Sequence, residues 1–174
     1  MSLLHIVTVP DPVLKQVANP IENITAQIKQ QATDMIETMY EAPGIGLAAN
    51  QVGVLNRMFV MDTNYRKEKS SRDAIVMINP EIVWKSEEIS IMEEGCLSIP
   101  QQYAEVERPK SVRVKYIDLG GQTMEYIGED LDSHCIQHEL DHLNGILFID
   151  YLSRLKRNMI LRKVDRMKKD GLIL

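Results

Sequence analysis

Gln137-His138-Glu139-Leu140-Asp141-His142-Leu143-Asn144-Gly145 is the stretch that decides how this chain is read. It holds a His-Glu-x-x-His pattern, and residues four apart on a helix share one face. His138 and His142 can therefore aim two imidazoles at one metal ion, with Glu139 beside them as a base for water. The flanks are those of a helix: Asp132 or Ser133 can cap its start, Ile136, Leu140 and Leu143 give an apolar stripe, and Gly145 marks an end. The plain alternative is two ordinary histidines on a partly buried helix with a solvated glutamate between them. The sharper reading is a hydrolytic metal site.

Such a site needs a third ligand, because catalytic zinc-type centres hold three protein ligands and keep one position for water. The chain has two cysteines, Cys96 and Cys135. Cys135 precedes His142 by about 10.5 Å of helix rise, too far for its short side chain to reach an ion held between the two histidines. Cys96, in Glu93-Glu94-Gly95-Cys96-Leu97-Ser98-Ile99-Pro100, comes from another part of the chain and can approach from the side. The expectation is Cys96 as the thiolate ligand, Cys135 as a buried structural residue, and His134 behind the ligands or in packing.

Three segments now stand in a telling order: residues 44–51 (Gly-Ile-Gly-Leu-Ala-Ala-Asn-Gln), 94–100 (Glu-Gly-Cys-Leu-Ser-Ile-Pro) and 137–142 (Gln-His-Glu-Leu-Asp-His). In order and spacing they resemble the peptide deformylase family, and the resemblance covers essentially the whole chain. It implies an enzyme that removes the formyl group from the N-terminal formylmethionine of new polypeptides, giving formate and a free amine. Cys96, His138 and His142 would hold a divalent ion whose charge lowers the pKa of bound water from about 15.7 toward roughly 7. Glu139 would take a proton from that water and later hand it to the leaving nitrogen. The resemblance also implies that the side-chain amide of Gln51 and the backbone amide of Leu97 stabilise the charge that gathers on the formyl oxygen. It places Ile45, Gly46, Met92, Leu131 and Cys135 near the methionine pocket. By the same resemblance, His134 occupies a pocket position that is usually apolar in the family, and Tyr103 stands where bacterial members often carry arginine.

One thiolate and two imidazoles suit Zn2+, Fe2+, Co2+ or Ni2+. The resemblance points to Fe2+ in the cell. A zinc peptidase of the His-Glu-x-x-His type is the second reading, and many such enzymes draw the third ligand from a later His or Glu. A catalytically idle metal-binding or ribosome-associated module is a third, against which the presence of Glu139 and Gln51 counts. Gly44, Gly46 and Ala49 also fit Gly-x-Gly-x-x-Ala, a dinucleotide fingerprint, with Asp62 placed to bind a ribose. That fingerprint must follow a strand, whereas residues 25–41 read as a helix through Ile28, Ala32, Met35, Ile36 and Met39, ended by Pro43-Gly44. The glycines are better suited to letting backbone approach an extended substrate.

The 174 residues suit one catalytic domain, 1–174, able to bury roughly 70% of its unfolded surface. Two cysteines give no disulfide framework and favour a reducing compartment. The first residues have no basic leader and run into Pro10-Asp11-Pro12, and no apolar run approaches the ~20 residues that span a membrane. The expected address is the cytoplasm, with no membrane partner. Segments 57–61, 74–78, 81–84, 111–117 and 123–127 read as short strands, the last two as a hairpin across Asp118-Leu119-Gly120-Gly121. Residues 63–72 read as an exposed loop. The fold class is α+β: short antiparallel sheets around a metal-binding helix, with an N-terminal helix and a basic C-terminal helix.

Residues 1–152 carry 12 basic and 23 acidic side chains, and residues 153–174 carry 8 and 2. The tail has helical periodicity, with Leu155, Met159 and Leu161, or Ile160, Val164 and Met167, able to form an apolar edge. It reads as a helix docked on an acidic body or as a contact for nucleic acid. The resemblance implies docking on the ribosome near the tunnel exit, where N-formylmethionyl nascent peptides emerge. Glu94 and Arg108 can pair and steady the Cys96 loop.

Overall fold

Thr25 takes up extended backbone and its hydroxyl accepts a hydrogen bond from the Ile28 amide, so helix α1 (Ala26–Glu41) begins one residue later. Ile28, Ala32, Met35 and Met39 recur at helical spacing and are buried, packing on Leu47, Met58, Val60 and Ile78. In this computed structural model, which describes residues 2–65 and 71–174, seven strands follow. They are β1 (Gly46–Ala48), β2 (Met58–Met61), β3 (Ile75–Lys85), β4 (Ile89–Cys96), β5 (Ile99–Pro109), β6 (Ser111–Ile117) and β7 (Thr123–Glu129). Helices α2 (Leu131–Leu143) and α3 (Arg154–Lys169) complete the chain. The architecture is α+β.

The strands form an antiparallel five-stranded sheet in the order β1-β2-β3-β6-β7 and a separate β4-β5 ribbon. Helix α2 lies between them. Ile136 and Leu143 pack on Phe59, Met77, Val112 and Val114 of the sheet, while His134 and His138 meet Glu94 of the ribbon. This placement buries most of the His-Glu-x-x-His segment between sheet and ribbon.

Three departures from the sequence reading have physical causes. Segments 74–78 and 81–84 belong to one strand, β3, whose pairing with β6 shifts register between Ile78 and Glu81. Asn79 takes φ 50° there and its side chain bonds the Ile21 backbone in both directions, so the Asn-Pro punctuation marks a bulge and not a break. The β4-β5 ribbon was not legible because its inward positions include Glu94 and Arg108, both buried, so no apolar alternation betrays it. Helix α2 starts earlier than its expected caps: Asp132 accepts from the hydroxyls of Thr63 and Tyr126, and Ser133 donates to the Pro109 carbonyl. Its end is as read. Gly145 has φ 74°, and a Cβ there would lie 2.4 Å from the Lys15 carbonyl oxygen.

Of the loop read over 63–72, residues 66–70 lie outside the described residues. Thr63 is buried and not exposed. Asp62 accepts the amides of Asn64, Tyr65 and Asp73, and the Tyr40 hydroxyl at 2.5 Å, which ties both ends of the loop to one carboxylate. In α3 the second candidate edge is the buried one, since Ile160 and Val164 join Leu14, Phe148 and Ile149 while Leu155 and Met159 stay exposed. Among the described residues no helix is long and apolar enough to cross a membrane.

Candidate metal centre and active site

His138 and His142 sit one turn apart on α2, and Cys96 ends β4 beside them. One donor atom from each of the three lies within 4.8 Å of the others, and Cys96 Sγ is 3.2 Å from His142 Nε2. The structure thus brings together the three residues that the sequence singled out as ligands. Cys135 stands outside this group: it is buried, with its sulfur 3.7 Å from the Ile45 carbonyl. Burial, reinforced by the nearby carboxylates of Glu139 and Asp132, pushes its thiol pKa well up.

The orientation of His138 is set by Glu94. That carboxylate receives Arg108 Nε at 2.6 Å and Arg108 Nη2 at 2.9 Å, with His134 Nδ1 and His138 Nδ1 each at 2.9 Å. Arg108 in turn donates to Asp141 at 2.9 Å, as does the Tyr151 hydroxyl at 2.7 Å. Burial alone would raise the pKa of Glu94, but the bonds from His134, His138 and Arg108 outweigh it and hold the carboxyl well below the usual range. An ionised carboxylate can only accept, so His138 carries its proton on Nδ1 and turns Nε2 toward the ligand cluster. Burial pushes His138 down, yet its bonds to Cys96 and Glu94 win and the net shift is upward. His142 is held well below its usual value by burial and by His138. Phe148, a core residue with no sequence signal of a role here, stacks on His138 with centroids 6.1 Å apart.

Glu139 is 3% exposed, and its Oε1 has no hydrogen-bond partner. Burial lifts its pKa to about 7, with nearby His138 pulling the other way. Gly46 lies directly against it, since a Cβ there would be 2.5 Å from Glu139 Oε2. Gln51 is fixed by the Ala48 amide, which donates to its side-chain oxygen at 3.0 Å, and its Nε2 points to Ser98 Oγ at 3.1 Å and Cys96 Sγ at 3.5 Å. Ser98 was not singled out in the sequence; its place two residues after Cys96 was the available hint. Leu97 lies over Gly44, where a Cβ would meet its Cδ1 at 2.7 Å.

Gln51, Cys96, Leu97, His138 and Glu139 line a cleft of about 890 Å³ together with Ile45, Gly46, Met92, Leu131, His134 and Cys135. Tyr103 is exposed at the cleft, its ring covering Gly95. The dinucleotide reading fails on context: β1 leads into the short 3-10 turn Ala49–Val52 and not into a helix, and Asp62 is committed to Tyr40 and the loop amides.

A cysteine sulfur and two imidazoles beside a buried carboxyl group with an unpartnered oxygen, opening on a cleft, form the kind of site a metallohydrolase uses. A sequence model of the polypeptide deformylase family matches residues 3–158. The chain is 52% identical over 169 residues to the peptide deformylase of Rhizobium meliloti (strain 1021), covering 97% of this chain and 96% of that one. Its fold is similar to the crystal structure of a peptide deformylase from Legionella pneumophila, with a TM-score of 0.91, 42% identity and 99% of both chains covered. It is also similar to peptide deformylase from Ehrlichia chaffeensis in complex with actinonin, with a TM-score of 0.90, 40% identity, and 97% of this chain and 98% of that one covered. The chain belongs to the polypeptide deformylase family, metal-dependent hydrolases that take the formyl group from the N-terminal formylmethionine of newly made polypeptides and release formate.

Proposed function

We propose that Cys96, His138 and His142 hold one divalent ion, Fe2+ in the cell, and that Glu139, Gln51 and Leu97 carry out deformylation around it. The observation that carries this reading is the convergence of three donor atoms within 4.8 Å, next to a Glu139 oxygen that is buried and unpartnered. The donor set fits a borderline-soft divalent ion, and family membership supports Fe2+, with Zn2+, Co2+ and Ni2+ as substitutes. When bound, the ion supplies positive charge that lets water lose a proton near neutral pH.

Glu139 takes that proton at Oε1 and later gives it to the departing nitrogen, and a pKa near 7 suits both transfers. The Gln51 Nε2 group, held in place through its own carbonyl, and the Leu97 amide donate to the formyl oxygen as charge collects there. Ile45, Gly46, Met92, Leu131 and His134 form the wall that receives the methionine side chain. Formate release from a short formyl-Met peptide, with metal content measured on the same sample, tests the assignment; a metal-replete protein that releases none overturns it. A zinc peptidase is disfavoured because, among the described residues, the donor that joins His138 and His142 is Cys96 and not a later His or Glu.

Residues 1–174 act as one catalytic domain in the cytoplasm, and the tail at 153–174 contacts ribosomal RNA. Support comes from the exposed cations Arg162, Lys163 and Arg166 on α3, whose opposite edge is buried through Ile160 and Val164. Neutralising those three as glutamines should weaken co-sedimentation with ribosomes at low salt and spare hydrolysis of a small peptide. Unchanged co-sedimentation rejects the docking.

A further inference from the structure

Ser90 on β4 and His134 on α2 take no part in the proton transfers above, yet they are joined to the metal cluster. Ser90 Oγ lies 2.7 Å from His134 Nε2, His134 Nδ1 lies 2.9 Å from Glu94 Oε2, and Glu94 Oε1 lies 2.9 Å from His138 Nδ1. His134 is only 2% exposed although it forms part of the cleft wall.

A carboxylate offers about four acceptor sites, and here each Glu94 oxygen receives one guanidinium N–H and one imidazole N–H. Arg108 binds both oxygens and each imidazole binds one, so four bonds together fix the carboxylate. Without the His134 donor, Oε2 keeps Arg108 alone, and the carboxylate that holds His138 loses one of the four bonds that fix it. Because ionised Glu94 can only accept, His134 donates to it from Nδ1, and its other ring nitrogen, Nε2, is paired with the Ser90 hydroxyl. The Ser90 hydroxyl, which can donate or accept, holds the far side of the ring and keeps Nδ1 aimed at Glu94. Both nitrogens of His134 are committed, so neither is left over to bond a ligand in the cleft.

We propose that His134, oriented by Ser90, is a positioning residue for the metal ligand His138: it fixes the Glu94 carboxylate that in turn fixes the His138 ring. This rests on the assignment of Cys96, His138 and His142 as the ligands. Groups that orient a metal-bound histidine are worth roughly 10–100-fold in metal affinity, which sets the expected size.

The test follows the rate at which zinc-loaded protein gives up zinc to a chelator. His134→Leu should lose zinc about tenfold faster than the native protein. His134→Asn, whose amide nitrogen falls near the place of Nδ1, should restore most of the retention. Ser90→Ala should lose zinc faster than native, by less than His134→Leu does, with the KM for a formyl-Met peptide unchanged. Native-like zinc loss in His134→Leu, or an asparagine no better than the leucine, overturns the proposal. Should the leucine variant fail to fold, Ser90→Ala decides alone, and native-like zinc loss there overturns it equally. A native protein that binds no zinc in the first place marks the separate failure of the ligand assignment.

Discussion

Replacing Gly46 by alanine puts one carbon into space that Glu139 now fills. The added Cβ would stand 2.5 Å from Oε2 and 2.9 Å from both Cδ and Cγ, whereas ordinary contact lies at 3.4–4 Å, so the oxygen must retreat by about 0.9 Å. Gly46 is not among the residues of positive φ, so alanine can adopt its backbone and the misfit falls on the side chain. Oε1 has no hydrogen bond to resist the shift. Misplacing a reacting group by about 1 Å costs on the order of 100-fold in rate, or about 2.7 kcal/mol in the barrier. The assay is kcat for formate release from a formyl-Met peptide at saturation, with metal content and melting temperature measured alongside. The expected result is a kcat roughly 100-fold lower, with full metal occupancy, because the nearest atoms to the new carbon belong to Glu139 and not to a ligand. A kcat within twofold of native at full occupancy would refute the link between this glycine and the position of the base.

Glu139→Ala should keep its metal and lose roughly 10²–10⁴ in kcat; an active, metal-replete variant removes Glu139 from the chemistry. Arg108→Ala leaves the Glu94 carboxylate buried without its guanidinium, a loss of about 3–5 kcal/mol that calorimetry should show as a melting temperature lower by roughly 10 °C. An unchanged melting temperature would mean that the pair carries no stability. In metal-free protein at pH 8, iodoacetamide should label Cys96 well before Cys135, whose thiol is buried and pushed up in pKa. Equal labelling by peptide mass mapping contradicts that placement.

The metal motif was legible because it is short, local and governed by helix periodicity: His138, Glu139 and His142 need only one turn of α2 to be related. Cys96 was reachable by elimination, since Cys135 is too far along the same helix to serve. The partners that orient these groups were harder to see. Glu94 of β4 meets His134 and His138 of α2 and Arg108 of β5, and the pairing with Arg108 alone was anticipated. Ser98 and Phe148 look like an ordinary loop residue and an ordinary core residue until the fold places them beside Gln51 and His138. The β4-β5 ribbon escaped for the same reason, because the groups it buries are charged and are satisfied only by residues far away in sequence. Local periodicity reveals single elements; satisfaction of buried charge appears only once those elements are assembled.

The measurement closest to the centre of this account is X-ray absorption on the zinc-loaded protein. It should find one sulfur at about 2.3 Å and two imidazole nitrogens at about 2.0–2.1 Å around each ion, with the sulfur shell lost in Cys96→Ser. A first shell of nitrogen and oxygen alone in the native protein, or a spectrum indifferent to the loss of Cys96, would contradict it.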